Sequence, residues 1–289
     1  MAARRACRST RAIGSFGAVD RSGSWRMTTR RHLTFACEGA TLVGTLDVAQ
    51  ASGGTGLLLV SGGNELRGGA WGGQAQLAAR LAQQGFPVFR YDRRGVGDSE
   101  GDNPTFRHSG QDIAAAVAAF RANAPHVRQV VAFGNCDAAA ALMLFAHGLA
   151  IDGLVLANPW TIDGEEAPQA MPAAAIRSRY LAKLTNPREV WRLLTGGVNL
   201  AKLAKGLRGA AASQTAPTGL VAEMKAGLAA FHGPAAILLA SKDRTAQMFE
   251  AAWDKSDARV ARIDSASHSF SDDAAREWLF ARLVDTLEG

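Results

Sequence analysis

Apolar and polar positions alternate over 30–37 and again over 41–48, with Glu38-Gly39-Ala40 between them, a pattern that predicts an opening β-hairpin. Leu57 to Val60 is a short unbroken apolar run, read as a buried strand, and it gives way to Ser61-Gly62-Gly63-Asn64. Helical spacing over 71–84 is followed by a strand over 86–91 and a glycine-bearing turn, and 113–120 repeats as an amphipathic helix. A second apolar strand leads through Gly134-Asn135-Cys136 into an Ala/Leu-rich helix reaching Phe145, and Gly153 to Ala157 forms the next strand. Strand and helix taking turns in this way predict an α/β fold, a mostly parallel twisted sheet with helices on both faces.

The alternation stops at about 160 and resumes at about 232, with helical patterns and no strand between. It then continues with the strand 235–240, a helix over 246–253, the strand 259–263 and a last helix over 273–287. A helical insertion between two late strands lies over their carboxyl ends, where open α/β sheets bind ligands. Residues 160–232 are therefore expected to form a helical lid.

Charge alters the reading at one end of the chain. The formal net charge is +6, but residues 1–26 carry six arginines against Asp20, so the rest of the chain is nearly balanced. A near-neutral domain argues against a nucleic-acid surface. The basic segment has no apolar periodicity and lacks the apolar core of a secretory signal. It fits a disordered tail, an organellar transit peptide, or translation begun upstream of the true start. The last is adopted here, because Met27-Thr28-Thr29 opens the first strand-like stretch. Residues 1–29 are thus set apart as a disordered extension and 30–289 as one domain. No run of about 18 apolar residues appears, so no membrane span is expected. Three cysteines, Cys7, Cys37 and Cys136, form no disulfide framework and suit a reducing, cytoplasmic setting. No pair has metal-ligand spacing, and neither a metal nor an organic cofactor is implied.

The stretch from Val130 to Ala139 has the layout of a nucleophile elbow, in which a strained turn lifts a side chain above the end of a parallel sheet. Cys136 stands at the bend and would attack as its thiolate. Gly97-Asp98-Ser99-Glu100-Gly101 matches the G-x-S-x-G pattern letter for letter, but no strand leads directly into it and Asp102-Asn103-Pro104 breaks any following helix. Ser99 is read as a loop residue. A nucleophile needs a base and an orienting acid, which here would follow in that fold type's order, acid then histidine. Asp243 comes just after the strand ending at Ala240, and His268 lies in the loop after the last strand. Asp243 could instead serve as a helix N-cap before Thr245-Ala246. The oxyanion hole would use the Asp137 N–H and a second donor from Gly63 or Asn64.

These segments resemble the α/β-hydrolase superfamily over residues 30–289. More narrowly, Gly134-Asn135-Cys136-Asp137-Ala138-Ala139, Ala157-Asn158-Pro159-Trp160 and Ser267-His268-Ser269-Phe270-Ser271 resemble the exosortase A system-associated hydrolase 1 family. The resemblance implies a hydrolase or acyl transferase, in bacteria that build exopolysaccharide and sort proteins by a C-terminal anchor. The chain departs from the superfamily at Ala138, where glycine is usual, and at Ser61-Gly62 in place of His-Gly.

The expected lid carries Arg177, Arg179, Lys183 and further basic residues among leucines and Trp191. Such a stretch reads as a solvated basic face over an apolar one. The alternatives are a small-molecule acyl substrate with an anionic handle, held by Arg177, Arg179 and Trp160, or docking to an acidic membrane surface. The expected activity is hydrolysis of an ester or thioester through an acyl-cysteine. Acyl transfer to a sugar, or a catalytically silent fold kept for binding, are the competing readings.

Overall fold

The computed structural model describes residues 10–19, 25–49, 52–162 and 219–289. Nine strands form one sheet in the order β1-β2-β3-β5-β4-β6-β7-β8-β9. They are β1 (Thr10–Val19), β2 (Trp25–Cys37), β3 (Ala40–Ala49), β4 (Thr55–Val60), β5 (Val88–Tyr91), β6 (Gln129–Asn135), β7 (Gly153–Ala157), β8 (Ala235–Ala240) and β9 (Val260–Ile263). From β4 and β5 through β9 all pairs are parallel, while β1, β2, β3 and β5 pair antiparallel. The described helices are α1 (Gly73–Gln83), α2 (Gly110–Asn123), α3 (Asp137–Phe145), α4 (Gly219–Ala230), α5 (Arg244–Ala252) and α6 (Asp273–Glu288).

The period-two rule assigns the strand residues to two cores. Leu58, Val60, Phe89, Ala132, Leu154 and Leu239 face α2, α3, α4 and α5. Their neighbours Leu57, Leu59, Val131, Phe133, Val155 and Leu238 face α1 and α6. Every central strand is buried on both sides, which is why its sequence is a continuous apolar run rather than an alternating one.

The hairpin turn is tighter than the sequence pattern suggests. Glu38 (φ 48°) and Gly39 (φ 82°) alone connect β2 to β3, both left-handed as a type I′ turn requires. The strand β1 pairs with β2 from Ser15 opposite Thr29 to Val19 opposite Trp25. Part of the segment expected to stand outside the fold is therefore a strand. Edge pairing uses backbone groups and needs no apolar alternation, so the sequence pattern carried no sign of it.

The last part of the segment expected as a lid is described, and it packs into the core. Residues 163–218, with Arg177 and Arg179, lie outside the described residues, but α4 is a core helix. Leu220, Val221, Met224 and Leu228 are buried against α3 and the sheet. At Gly227 an added Cβ would lie 2.2 Å from the Met143 carbonyl oxygen. Only glycine permits the two helices to approach this closely. Among the described residues no helix is long and apolar enough to cross a membrane.

Candidate active site

The register of the parallel strands gathers several loops at one edge. Val60 pairs with Gly134, Asn135 with Ala157, Ala157 with Leu238, and Ala240 with Ile263. The residues just beyond those pairs, Ser61-Gly62-Gly63, Cys136, Asn158-Pro159-Trp160, Ser241 to Asp243 and the loop holding His268, meet there. The chain leaves β4 for α1 on one face and β6 for α3 on the other, so the crevice between them is the switch point of the sheet.

Cys136 occupies a backbone conformation of φ 61° and ψ −124° between the end of β6 and the start of α3. Few non-glycine residues adopt it, and it persists when the surroundings fix both flanks. Here the Cys136 N–H donates to the Ala157 carbonyl (3.0 Å), and its own carbonyl accepts from Ala140 (3.2 Å) and Trp160 (3.1 Å). Gly134 makes the bend possible, since a Cβ there would stand 2.7 Å from the Ala138 carbonyl carbon. Ala138 is wholly buried, so the helix start tolerates its methyl while leaving no room for one at 134.

His268 Nδ1 lies 3.1 Å from Asp243 Oδ2. Asp243 is 7% exposed, and the same oxygen accepts the Ala246 N–H at 3.1 Å, so the carboxylate both caps α5 and orients the imidazole. Hydrogen bonding to Asp243, then to the Cys136 side chain, outweighs burial and pushes the His268 pKa up to about 10. Asp243 thus holds His268 by a hydrogen bond, and His268 lies within electrostatic reach of the Cys136 side chain. Among the described residues no group of three or more His, Cys, Asp and Glu side chains is placed to hold a metal.

The His268 loop is anchored by two amides that the sequence did not single out. Asn135 Nδ2 and Asn158 Nδ2 donate to the His268 carbonyl at 3.2 and 3.0 Å. Asn158 is completely buried, holds φ 41°, and accepts the Ala240 N–H at 2.9 Å. A buried amide at the end of a central strand, just before proline, was the available signal.

The turn after β4 holds a surprise. The Gly63 N–H donates to Asp137 Oδ1 at 2.6 Å. Arg93, 2% exposed, donates through Nη2 to the Gly63 carbonyl and lies 3.8 Å from Asp137 Oδ2. Asp137 was expected to matter through its N–H; its carboxylate is an equal part of the site. Asn64 is exposed, and its side-chain carbonyl accepts from Asn103 Nδ2 at 2.8 Å.

The other sequence candidates lie elsewhere or are tied. Trp160 is half-buried, with its indole N–H donated to the Ile162 carbonyl (2.7 Å). Ser99 is 8% exposed, donates to the Asp92 carbonyl (2.7 Å) and accepts from the Val43 N–H (2.9 Å). Cys37 is buried against Asp112, and burial pushes its thiol up to about 11. Beside the site a cleft of about 100 Å³ is lined by Trp71, Leu77, Phe133, Phe270 and Leu279, with Asn135 on the side of Cys136.

A sequence model described as the alpha/beta hydrolase family matches residues 57–282. A search of curated proteins finds no match. Solved structures share the fold at low identity. The esterase PF2001 of Pyrococcus furiosus aligns with a TM-score of 0.57 at 16% identity, covering 90% of each chain. The α/β hydrolase GrgF from a Penicillium species gives 0.58 at 16% identity over 90% of this chain and 98% of its own. An esterase from Exiguobacterium antarcticum gives 0.56 at 12% identity over 89% and 99%.

Proposed function

Because the chain belongs to the alpha/beta hydrolase family, we propose that it hydrolyses an ester or thioester with Cys136 as nucleophile, His268 as acid and base, and Asp243 as the residue that orients His268. The observation that carries the reading is the strained Cys136 backbone, held from both sides at the sheet edge where Asp243 fixes His268. Strain of this kind is retained where it serves a function.

The raised His268 pKa decides where the proton sits before reaction. The protonated imidazole can give its proton to the leaving group, and the sulfur of Cys136 attacks in its thiolate form, as any cysteine nucleophile must. Cys136 Sγ attacks the acyl carbonyl, the C–S bond forms, and the bond to the leaving group breaks as His268 gives that group its proton. Water then loses a proton to His268 and attacks the acyl-cysteine, which releases the acid and returns the thiolate. The oxyanion of each step would be held by the Asp137 N–H and, once available, the Gly63 N–H. The cleft walled by Trp71, Leu77 and Phe133 offers a compact apolar place for the acyl group.

The cysteine usage supports a reducing, cytoplasmic setting. Membership of the narrower exosortase A system-associated hydrolase 1 family is part of the proposal, supported by the three motifs quoted above, each of which contributes to this site. Arg177 and Arg179 are proposed to contact an anionic part of the substrate. One observation favours the silent-fold alternative, namely the carboxylate on the Gly63 N–H.

Intact-mass measurement of wild type and Cys136→Ala after exposure to a panel of acyl esters and thioesters tests the reading. A transient acyl adduct in wild type and none in the variant is the expected result. Turnover without an adduct at Cys136, or an adduct that persists in Cys136→Ala, would overturn it.

A further inference from the structure

A carboxylate beside a forming oxyanion opposes it by charge, and a donor already engaged cannot stabilise it. Asp137 does both. Its Oδ1 holds the Gly63 N–H at 2.6 Å, and the turn is built around it, since a Cβ on Gly62 would lie 2.6 Å from the same oxygen. The ion pair with Arg93 is a long one without a hydrogen bond, Asp137 Oδ2 standing 3.8 Å from Arg93 Nη2. Arg93 is almost wholly buried, and its Nη1 has no hydrogen-bond partner among the described residues. A buried guanidinium with an unsatisfied nitrogen is costly and is expected to have a partner in some state of the protein.

We propose that Asp137 is a specificity-determining gate: at rest its carboxylate occupies the Gly63 donor, and productive binding moves it onto Arg93, freeing Gly63 N–H for the oxyanion. This rests on the hydrolase reading above. No covalent bond is made or broken in the switch; the carboxylate exchanges a hydrogen bond from a backbone N–H for one from a guanidinium. The gate predicts that acyl groups which cannot displace Asp137 are turned over poorly, so simple activated esters understate the capacity of the site. It also predicts that Arg93 matters only while Asp137 is present.

The test is a double-mutant cycle on p-nitrophenyl acetate with Asp137→Ala, Arg93→Met and the pair. Asp137→Ala is expected to raise kcat/KM by about tenfold or more, part of the 10²–10³-fold worth of one oxyanion donor. Arg93→Met is expected to lower it by about tenfold in the Asp137 background and by less than about twofold when Asp137 is alanine. Arg93→Lys, which keeps the charge should Arg93→Met not fold, is expected to change kcat/KM by less than about twofold relative to its own background, with or without Asp137. Equal losses from Arg93→Met in both backgrounds, or an Asp137→Ala enzyme slower than wild type, would make Asp137 a brace and overturn the gate. The Gly63 amide ¹H–¹⁵N resonance separates this from the parent reading. If it does not respond to Asp137→Ala, the gate fails whatever the activity. If it moves while no variant turns over ester and none carries an acyl adduct, the resting occupancy stands and the hydrolase reading fails.

Discussion

The turns after β5 and β6 invite comparison. Each follows a buried strand with parallel pairing, each has a glycine two residues before a small side chain with a nucleophilic atom, and the first spells the serine-hydrolase motif letter for letter. In the first turn Ser99 has a hydroxyl committed in both directions, to the Asp92 carbonyl and the Val43 N–H, and works as a cross-brace between the turn and β3. In the second, Cys136 has backbone groups fully committed and a side chain directed to a histidine. If Cys136 is the nucleophile proposed above, it differs from the brace in which half of the residue the fold ties down. A motif specifies letters, whereas reactivity needs a strained main chain at the mouth of the sheet and an unbraced atom on it.

The largest effect that would break this contrast is expected from Cys136→Ala, which should cut kcat for any accepted ester by at least about 10³-fold, measured against the uncatalysed rate. Undiminished turnover would return the nucleophile to some other residue. Asp243→Asn follows, with kcat expected to fall by up to about 10⁴-fold through the wrong imidazole tautomer. Asparagine is also a good N-cap, so the thermal midpoint should move little. A large fall in stability with activity kept would mean that Asp243 is only a cap. Ser99→Ala should do the reverse. Activity at 25 °C should stay within about twofold, while urea unfolding registers a loss of about 1–2 kcal/mol from the stranded Val43 N–H and Asp92 carbonyl.

The finest distinction is in pH. The folded pKa of His268, about 10, lies above its ordinary 6.5, so protonated His268 contributes stability. That contribution is complete below about pH 6.5 and is lost as pH rises through 10. The gap in thermal midpoint between wild type and His268→Gln should therefore shrink steadily from pH 6.5 to 10. The gap for Ser99→Ala, which involves no titrating side chain, should stay flat over the same range.

Much of this was legible in the sequence because parallel strands advertise themselves. Leu57 to Val60, Val130 to Phe133 and Ile237 to Ala240 are buried on both faces and read as apolar runs whatever their order in the sheet. The residues of the proposed site could be singled out in the sequence because each comes just past a strand. Three features had no such signal. The edge strand β1 pairs through its backbone, so composition pointed the wrong way. Helix α4 has the same apolar spacing that a lid helix would have, and only its packing on α3 across Gly227 distinguishes them. The contact from Asp137 to Gly63 spans 74 positions and depends on side-chain direction, which periodicity does not carry.

The φ of Cys136 has a consequence for descent as well as for chemistry. Glycine would accept that conformation freely, and Cys136 makes no side-chain cap to α3 that would be lost. Cys136→Gly should then be inactive yet more stable, by about 1 kcal/mol once glycine's greater freedom in the unfolded chain is deducted. A lineage that no longer needed the reaction would meet a downhill path at this one codon, with abundance rising as function vanished. Glycine at the bend of a related chain would then be the mark of an enzyme retired into a scaffold.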